Sequence, residues 1–440
     1  MKSLSIFLFE WKHFVRSPFK VAAFLLFVVA SVYGLHNGAS LYESRKAEIE
    51  KINQVIEQDR EENITFYEAG EKGPKDKPWV NLNTPFWATL LSKTYKFKTP
   101  SSALVYSTGE SEQYGFYKQI DIWASTMDSD MTKEIANPER LQVGTLDFSF
   151  ALLYLLPLLL MILLYNIRSS EAEQNFLTLI QVQTASVSFW LLSRVIFYLL
   201  LLNFSIVLLL IYGALLTDVF SNEGSAFWQM LFYSLLYLFF WGIIYYLILR
   251  KGARIMNNTL KMVGIWLLLT IIVPAISLQW ITIKKPVNLM TDFINASRDE
   301  TRDLYDLSDS VLLGKLDVLY PEELKGSEEE RKVKIGKIKR VAFSALSNEI
   351  LKERIASIEA NNEIKNQKVR ATYLFNPVIF FQNKFNKLSC SHYDNYRQFR
   401  EEIQCLIDKQ IQLVLFDTWK GVHVDKTKYI YYTKELVKNN

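Results

Sequence analysis

Few side chains in this chain are equipped for chemistry, and their spacing narrows what they can do. Four histidines, His13, His36, His392 and His423, and two cysteines, Cys390 and Cys405, are the soft metal ligands. Cys390 and His392 stand two apart like half of a zinc site, but no matched second pair lies near, so a structural metal is the less favoured reading. A disulfide between Cys390 and Cys405 would suit an oxidising compartment. Ser391, however, reads as the N-cap of a helix running through Cys405. Such a helix would hold the two Cα atoms about 22 Å apart, where a bridge needs roughly 4.4–6.8 Å. The chain contains no H-E-x-x-H, G-x-S-x-G or G-x-x-x-x-G-K-[ST]. Zinc-protease, serine-hydrolase and P-loop ATPase signatures are therefore missing. An enzyme is disfavoured, no cofactor is expected, and nothing nominates a nucleic-acid partner.

A second kind of chemistry, the gripping of another protein, is suggested by "NIRSSEAEQNFLTLIQVQT", residues 166–184. Ser170 and Glu173 have the spacing of a capping box, and Phe176, Leu177 and Ile180 follow as an i, i+1, i+4 apolar edge. Glu171 and Glu173 fall in the first turn, where carboxylates favour the positive end of the helix dipole. The spacing predicts a single capped helix. It serves either to dock a partner or only to connect its neighbours.

What must position this helix is a membrane. Half of the residues are hydrophobic, with 50 basic against 46 acidic, and the apolar ones come in blocks. No charge occurs from Val195 to Leu216, from Phe227 to Leu249 or from Met262 to Ile281. Each block is near the ~20 residues a helix needs to cross about 30 Å of hydrocarbon. Phe148 to Tyr165 is a further block, its Pro157 tolerable where neighbouring helices satisfy the freed carbonyl. Asp147 stands only at its edge. Val21 to Leu35 is short, and is read as an uncleaved signal anchor in preference to a cleaved signal. The expected fold is an all-α integral membrane protein of about five transmembrane helices with mostly helical extracytoplasmic domains. The first outer segment leaves room for α+β.

The organisation follows as 1–20, an interfacial helix, or alternatively a stop-transfer flank; 21–35, the first span; and 36–146, an outer domain. Next come 147–166, the second span; 167–187, the connecting loop with its helix; 188–217, 227–249 and 259–282, three further spans; and 284–440, a second, helical outer domain. Lys2, Lys12, Arg16, Lys20, Arg168, Arg194, Arg250, Lys251, Arg254 and Lys261 gather at one set of span ends, whereas Thr217 to Ala226 has only acidic charges. By the positive-inside rule the N-terminus and the 166–184 helix are cytoplasmic. Phe7, Trp11 and Phe14 would then face lipid, with the basic residues at headgroups. Asn203, Ser205 and Gln279, polar within the spans, suit bonds between helices. The "NIT" at Asn63 has the form of a glycosylation acceptor.

The stretch "NPERLQVGTLDFSFALLYLLPLLLMILLYNIRSSEAEQNFLTLIQVQTASVSFWLLSRV" resembles the second span and following loop of type 2 ABC transporter permeases, where a span leads into a short S-x-E-x-E-x-G-T-L-like helix. Ser169, Glu171, Glu173 and Leu177 take up that pattern. Asn175 stands where the family often has Gly, a change a helix interior would tolerate. "SSALVYSTGESEQYGFYKQIDIW" and "NPVIFFQNKFNKLSCSHYDNYRQFREEI" resemble outer motifs of the branch with a large insert between its first two spans. The resemblance implies an ATP-driven exporter subunit without a nucleotide site of its own, in the inner (plasma) membrane, as a homodimer or heterodimer. It also implies that a separate cytoplasmic ATPase grips Ser170, Glu171, Glu173, Phe176, Leu177 and Ile180, with the interfacial helix, 1–17, as an elbow helix beside them. Such permeases usually have six spans against five here, which puts transport by this subunit in question. Two other readings stay open: a non-transporting scaffold with outer binding domains, and a membrane enzyme using Cys390 or His392.

Overall fold

The structure, a computed structural model, describes residues 3–131, 146–183, 186–252, 254–284, 306–321 and 327–437, with scattered positions between. Helix α1 (Ser3–Val15) leads into α2 (Pro18–Glu68), which starts on Pro18 because a helix's first residue needs no N–H partner. The short span expected at 21–35 is the beginning of this one helix, which continues for 51 residues, about 75 Å. Its apolar part lies in a bundle and its charged part stands beyond it. Two glycines allow α2 to lie flush. A Cβ on Gly34 would come 2.5 Å from the backbone of Asp147, and one on Gly38 would come 2.6 Å from the carbonyl oxygen of Val105.

Among the described residues, four more helices are long and apolar enough to cross a membrane. The first, α4, follows the short α3 (Pro85–Leu91); it comprises Phe148–Phe150, a π-helical turn at Ala151–Leu155 and Leu156–Leu164. Pro157 has no N–H to offer the carbonyl of Leu153, four residues back, and the Tyr237 hydroxyl donates to that oxygen at 2.6 Å instead. The neighbouring helix thus does what the proline requires. After two short helices described below come α7 (Val187–Leu216), α8 (Val219–Lys251) and α9. Helix α9 consists of Ile255–Leu267, a second π-helical turn at Leu268–Ile272 just before Pro274, and Val273–Lys284. The polar link expected at 217–226 contains a helical turn but is broken twice: Thr217 and Asp218, the latter at φ 52°, separate α7 from α8, and Glu223, at φ −144° and ψ 48°, kinks α8 ahead of its apolar part. Ser205 bonds its own helix, at the Leu201 carbonyl, 2.9 Å away.

At the far end of the bundle sits a domain assembled from both of the segments expected outside. Strands β1 (Tyr95–Phe97) and β2 (Tyr117–Gln119) form one antiparallel pair, with Tyr95 opposite Gln119. Helices α10 (Asp309–Leu319), α11 (Glu328–Ala371) and α13 (Tyr393–Trp419) share a core including Leu312, Ile338, Ala342, Ile403 and Ile407. Helix α14 (Lys426–Val437) closes against α3 and the outer part of α2. The C-terminal segment is not one outer bundle, however. Helix α12 (Pro377–Leu388) joins the membrane helices, burying Val378, Phe381 and Phe385 there, with the Phe381 ring edge-on to Tyr237 at 4.9 Å.

Between α2, α4, α7 and α8 the segment 101–108 is wholly buried. The Tyr106 hydroxyl donates to the Leu210 carbonyl at 2.8 Å, and Ser107 donates to Asn386 at 2.7 Å. Asp147 accepts from the Thr108 and Phe150 N–H groups, at 3.0 and 2.7 Å. Its carboxylate is the N-cap of α4.

The N-cap of α13 is His392, not Ser391: His392 Nδ1 accepts from the Asp394 N–H at 3.1 Å. An imidazole accepting at Nδ1 carries its proton on Nε2, so a second proton must displace the cap. Burial pushes its pKa down from 6.5 to about 4. Between these values the unfolded chain binds the proton and the folded chain does not. The contribution, at most about 3 kcal/mol, is complete above pH 6.5 and lost as pH falls toward 4. Melting curves at pH 7 and 4.5 should show a smaller acid loss in His392→Asn, whose amide caps without titrating. In a second test, Gly38→Ala should cost about 1–3 kcal/mol in thermal unfolding, because the added methyl meets backbone that cannot rotate away.

Candidate functional site

The residues between α4 and α7 were expected to form one capped helix. They form two, α5 (Ser169–Glu173) and α6 (Leu177–Gln183). Asn175 breaks them apart at φ 61°, a left-handed conformation tolerated by Gly and Asn. Its N–H reaches the Ala172 carbonyl at 3.2 Å, and the Phe176 N–H reaches Glu171 at 2.9 Å. This paired 5→2 and 6→1 arrangement is a Schellman stop. Asn175 is thus not in a helix interior, and Gly would serve the same position for the reason that Asn does.

The capping box of Ser170 and Glu173 is absent, since the N-cap of α5 is Arg168 and no side chain caps it. The acidic residues instead serve other helices. Glu173 Oε1 accepts the N–H of Ile255 at 2.7 Å, placing a carboxylate at the positive end of α9. Glu171 accepts from Arg194 Nη1 at 2.5 Å. Arg168 donates to the carbonyls of Leu249, at 2.9 Å, and Gly252, so a cation covers the negative end of α8. Ser169 accepts from Asn258 at 2.6 Å. In about five residues the loop is pinned to the starts of α7 and α9 and to the end of α8.

Arg194 is the centre of this crossing. It is 3% exposed, and its guanidinium pairs with Glu10 of α1, which is fully buried, as well as with Glu171. Nη1 also donates to the Ile167 carbonyl at 2.8 Å, and the group lies 4.8 Å from the Trp190 ring centre. Lys20, 1% exposed, donates to the Leu163 carbonyl at 2.8 Å and so covers the end of α4. The sequence had placed Lys20 among headgroups and Arg194 at a span end beside the loop; Lys20 is instead spent on a helix terminus and Arg194 on buried carboxylates. Phe14 likewise packs inward, edge-on to Phe24 at 5.8 Å, while Trp11 remains half-exposed. Glu10 is the only acidic residue before Glu43. A lone carboxylate among basic and aromatic residues, and an arginine seven positions into an apolar helix, were legible signals of such a pair.

The expected apolar edge is divided. Leu177 and Ile180 turn toward the bundle core. Phe176, Leu179 and Val182 are 50, 54 and 86% exposed, an i, i+3, i+6 stripe on the outer side of the hairpin. Leu179 and Val182 were not among the nominated residues, although the three-residue spacing was present in the sequence.

The other nominated groups lead elsewhere. Cys390 and Cys405 are free, and among the described residues no three of His, Cys, Asp or Glu gather at one point. Asn63 is 6% exposed and donates to the Leu91 carbonyl and the Tyr429 hydroxyl, at 3.0 and 3.1 Å, so its amide is a structural bond rather than an accessible acceptor. No family model, curated protein or solved structure matches the chain.

Removing one partner of a buried pair leaves the other uncompensated, typically at about 3–5 kcal/mol, whereas replacing both by apolar groups is often nearly neutral. Arg194→Met should therefore melt well below the parent in detergent. The triple variant Arg194→Met/Glu10→Met/Glu171→Gln, which also removes the second carboxylate paired with Arg194, should recover a large part of the loss.

Proposed function

We propose that this chain is the membrane subunit of an ATP-driven exporter. In this reading it lies in the inner (plasma) membrane with α1 and the α5–α6 hairpin in the cytoplasm and the end domain outside, and it pairs with a second permease copy or relative. ATP is hydrolysed by a separate subunit, and the hairpin receives that subunit's motion. The observation that carries the reading is mechanical. The hairpin displays Phe176, Leu179 and Val182 to solvent, while its other side is fastened through Arg168, Ser169, Glu171 and Glu173 to α7, α8 and α9. A push on the exposed stripe would be passed through α5 to three apolar helices at once.

The left-handed Asn175 adds support, since the resemblance expects Gly at that position and Gly suits the same backbone. Within this reading Glu171 and Glu173 are bracing groups, and contact with the ATPase falls to the exposed apolar side chains. Phe176 keeps its nominated docking role, Leu177 and Ile180 anchor α6, and Ser170 lies on the first turn beside them.

Affinity capture of the chain should bring with it an ABC-type ATPase. Phe176→Asp/Leu179→Asp/Val182→Asp should lower its recovery at least tenfold while the melting temperature stays within a few degrees. Glu173→Gln should do the reverse, lowering stability with less effect on recovery. Full recovery of the ATPase with the triple variant would remove the hairpin from the contact. Absence of any ATPase from the parent complex would leave the scaffold reading in its place.

A further inference from the structure

We infer that the end domain binds a small water-soluble anion with an apolar body, in a cleft between α3, α11 and the turn after α13. The cleft encloses about 930 Å³ and is walled by Phe86, Trp87, Trp123 and Phe343. This is the upper range of cavities that take small ligands, and half-open aromatic walls with a few charges are their usual lining. The charges have one sign. Lys337, Lys339 and Arg340 line the cleft beside His423, and among the described residues no Asp or Glu does. Lys339 is held by Asp309 at 2.7 Å, and Arg340 lies 5.1 Å over the Phe86 ring. Among the described residues, neither Lys337 nor Arg340 is paired with a carboxylate. The chain as a whole is nearly balanced in charge, so an all-cationic lining is a local property of the site. Clefts of one sign with low-dielectric walls concentrate ligands of the other.

The position of the cleft selects the source of the anion. Its lining loops are fastened to the outer end of α2: Tyr67 donates to the Leu82 carbonyl at 2.6 Å, and the Val424 N–H reaches Asn83 at 2.9 Å. Residue 67 lies about 48 Å along the helix from the last apolar turn near Leu35. A lipid headgroup in the bilayer surface does not reach that far, whereas a dissolved carboxylate does. The aromatic walls would take the ligand's ring or chain and Lys337 and Arg340 its charge. The site stands apart from the α5–α6 hairpin and does not depend on the exporter reading.

The matched probes are 2-naphthoate and its neutral analogue 2-naphthamide, added to the full-length protein in nanodiscs, with empty nanodiscs subtracted and tryptophan fluorescence as the readout. Naphthoate should saturate the signal and bind at least tenfold more tightly than the amide. Lys337→Glu/Arg340→Glu should weaken naphthoate at least tenfold while leaving the melting temperature and the amide affinity in place. Trp123→Phe should remove a large part of the fluorescence change without abolishing binding. Equal affinity for acid and amide would overturn the inference. So would full naphthoate affinity in the charge-reversed variant, or no saturable binding by the parent.

Discussion

One ion pair, Arg194 with Glu10, sets the terms for the rest of the molecule. Neither group can be buried alone, because stripping a charge of water costs several kcal/mol that only a partner in good geometry returns. The pairing therefore obliges α1 to lie against α7, and it leaves the guanidinium able to reach Glu171 and the end of α4 as well. The same logic repeats around it. Every helix end at this side of the bundle exposes carbonyls or N–H groups that lipid cannot satisfy. Lys20, Arg168 and Glu173 are placed to satisfy them. A loop of this kind is held by helix termini, so it moves only if the helices do.

The opposite end is built on backbone contact more than on charge. Gly34 and Gly38, one helical turn apart, let α2 approach the backbones of 147–148 and 104–105, and the buried segment 101–108 fills the space between the spans. Tyr106, Ser107 and Thr108 then act as small hydrogen-bonding wedges toward α7, α12 and Asp147. Charge pairs can exchange partners, whereas a glycine against a carbonyl has no alternative packing.

Much of the site was readable at the level of residue type. The exposed stripe needed only its three-residue period, and Glu10 and Arg194 announced themselves as charges in apolar surroundings. What misled was reading Ser170 and Glu173 by their separation alone. A capping box is a local inference, and Glu173 found a better use at Ile255, eighty-two positions away in the chain. Asn175 is a similar case: residue preference distinguishes helix from stop only weakly when both tolerate Asn.

The sequence by itself determined the membrane character, the five apolar helices, the helical end domain and the scarcity of catalytic groups, because length, hydropathy and residue inventory are sums over neighbouring positions. Tertiary structure alone decided which carboxylate braces which helix and that α12 belongs to the bundle. It alone brought Trp87, Trp123, Lys337 and His423 to one cleft. These are partnerships between distant segments, and buried polar groups choose among many partners by geometry that no spacing along the chain records.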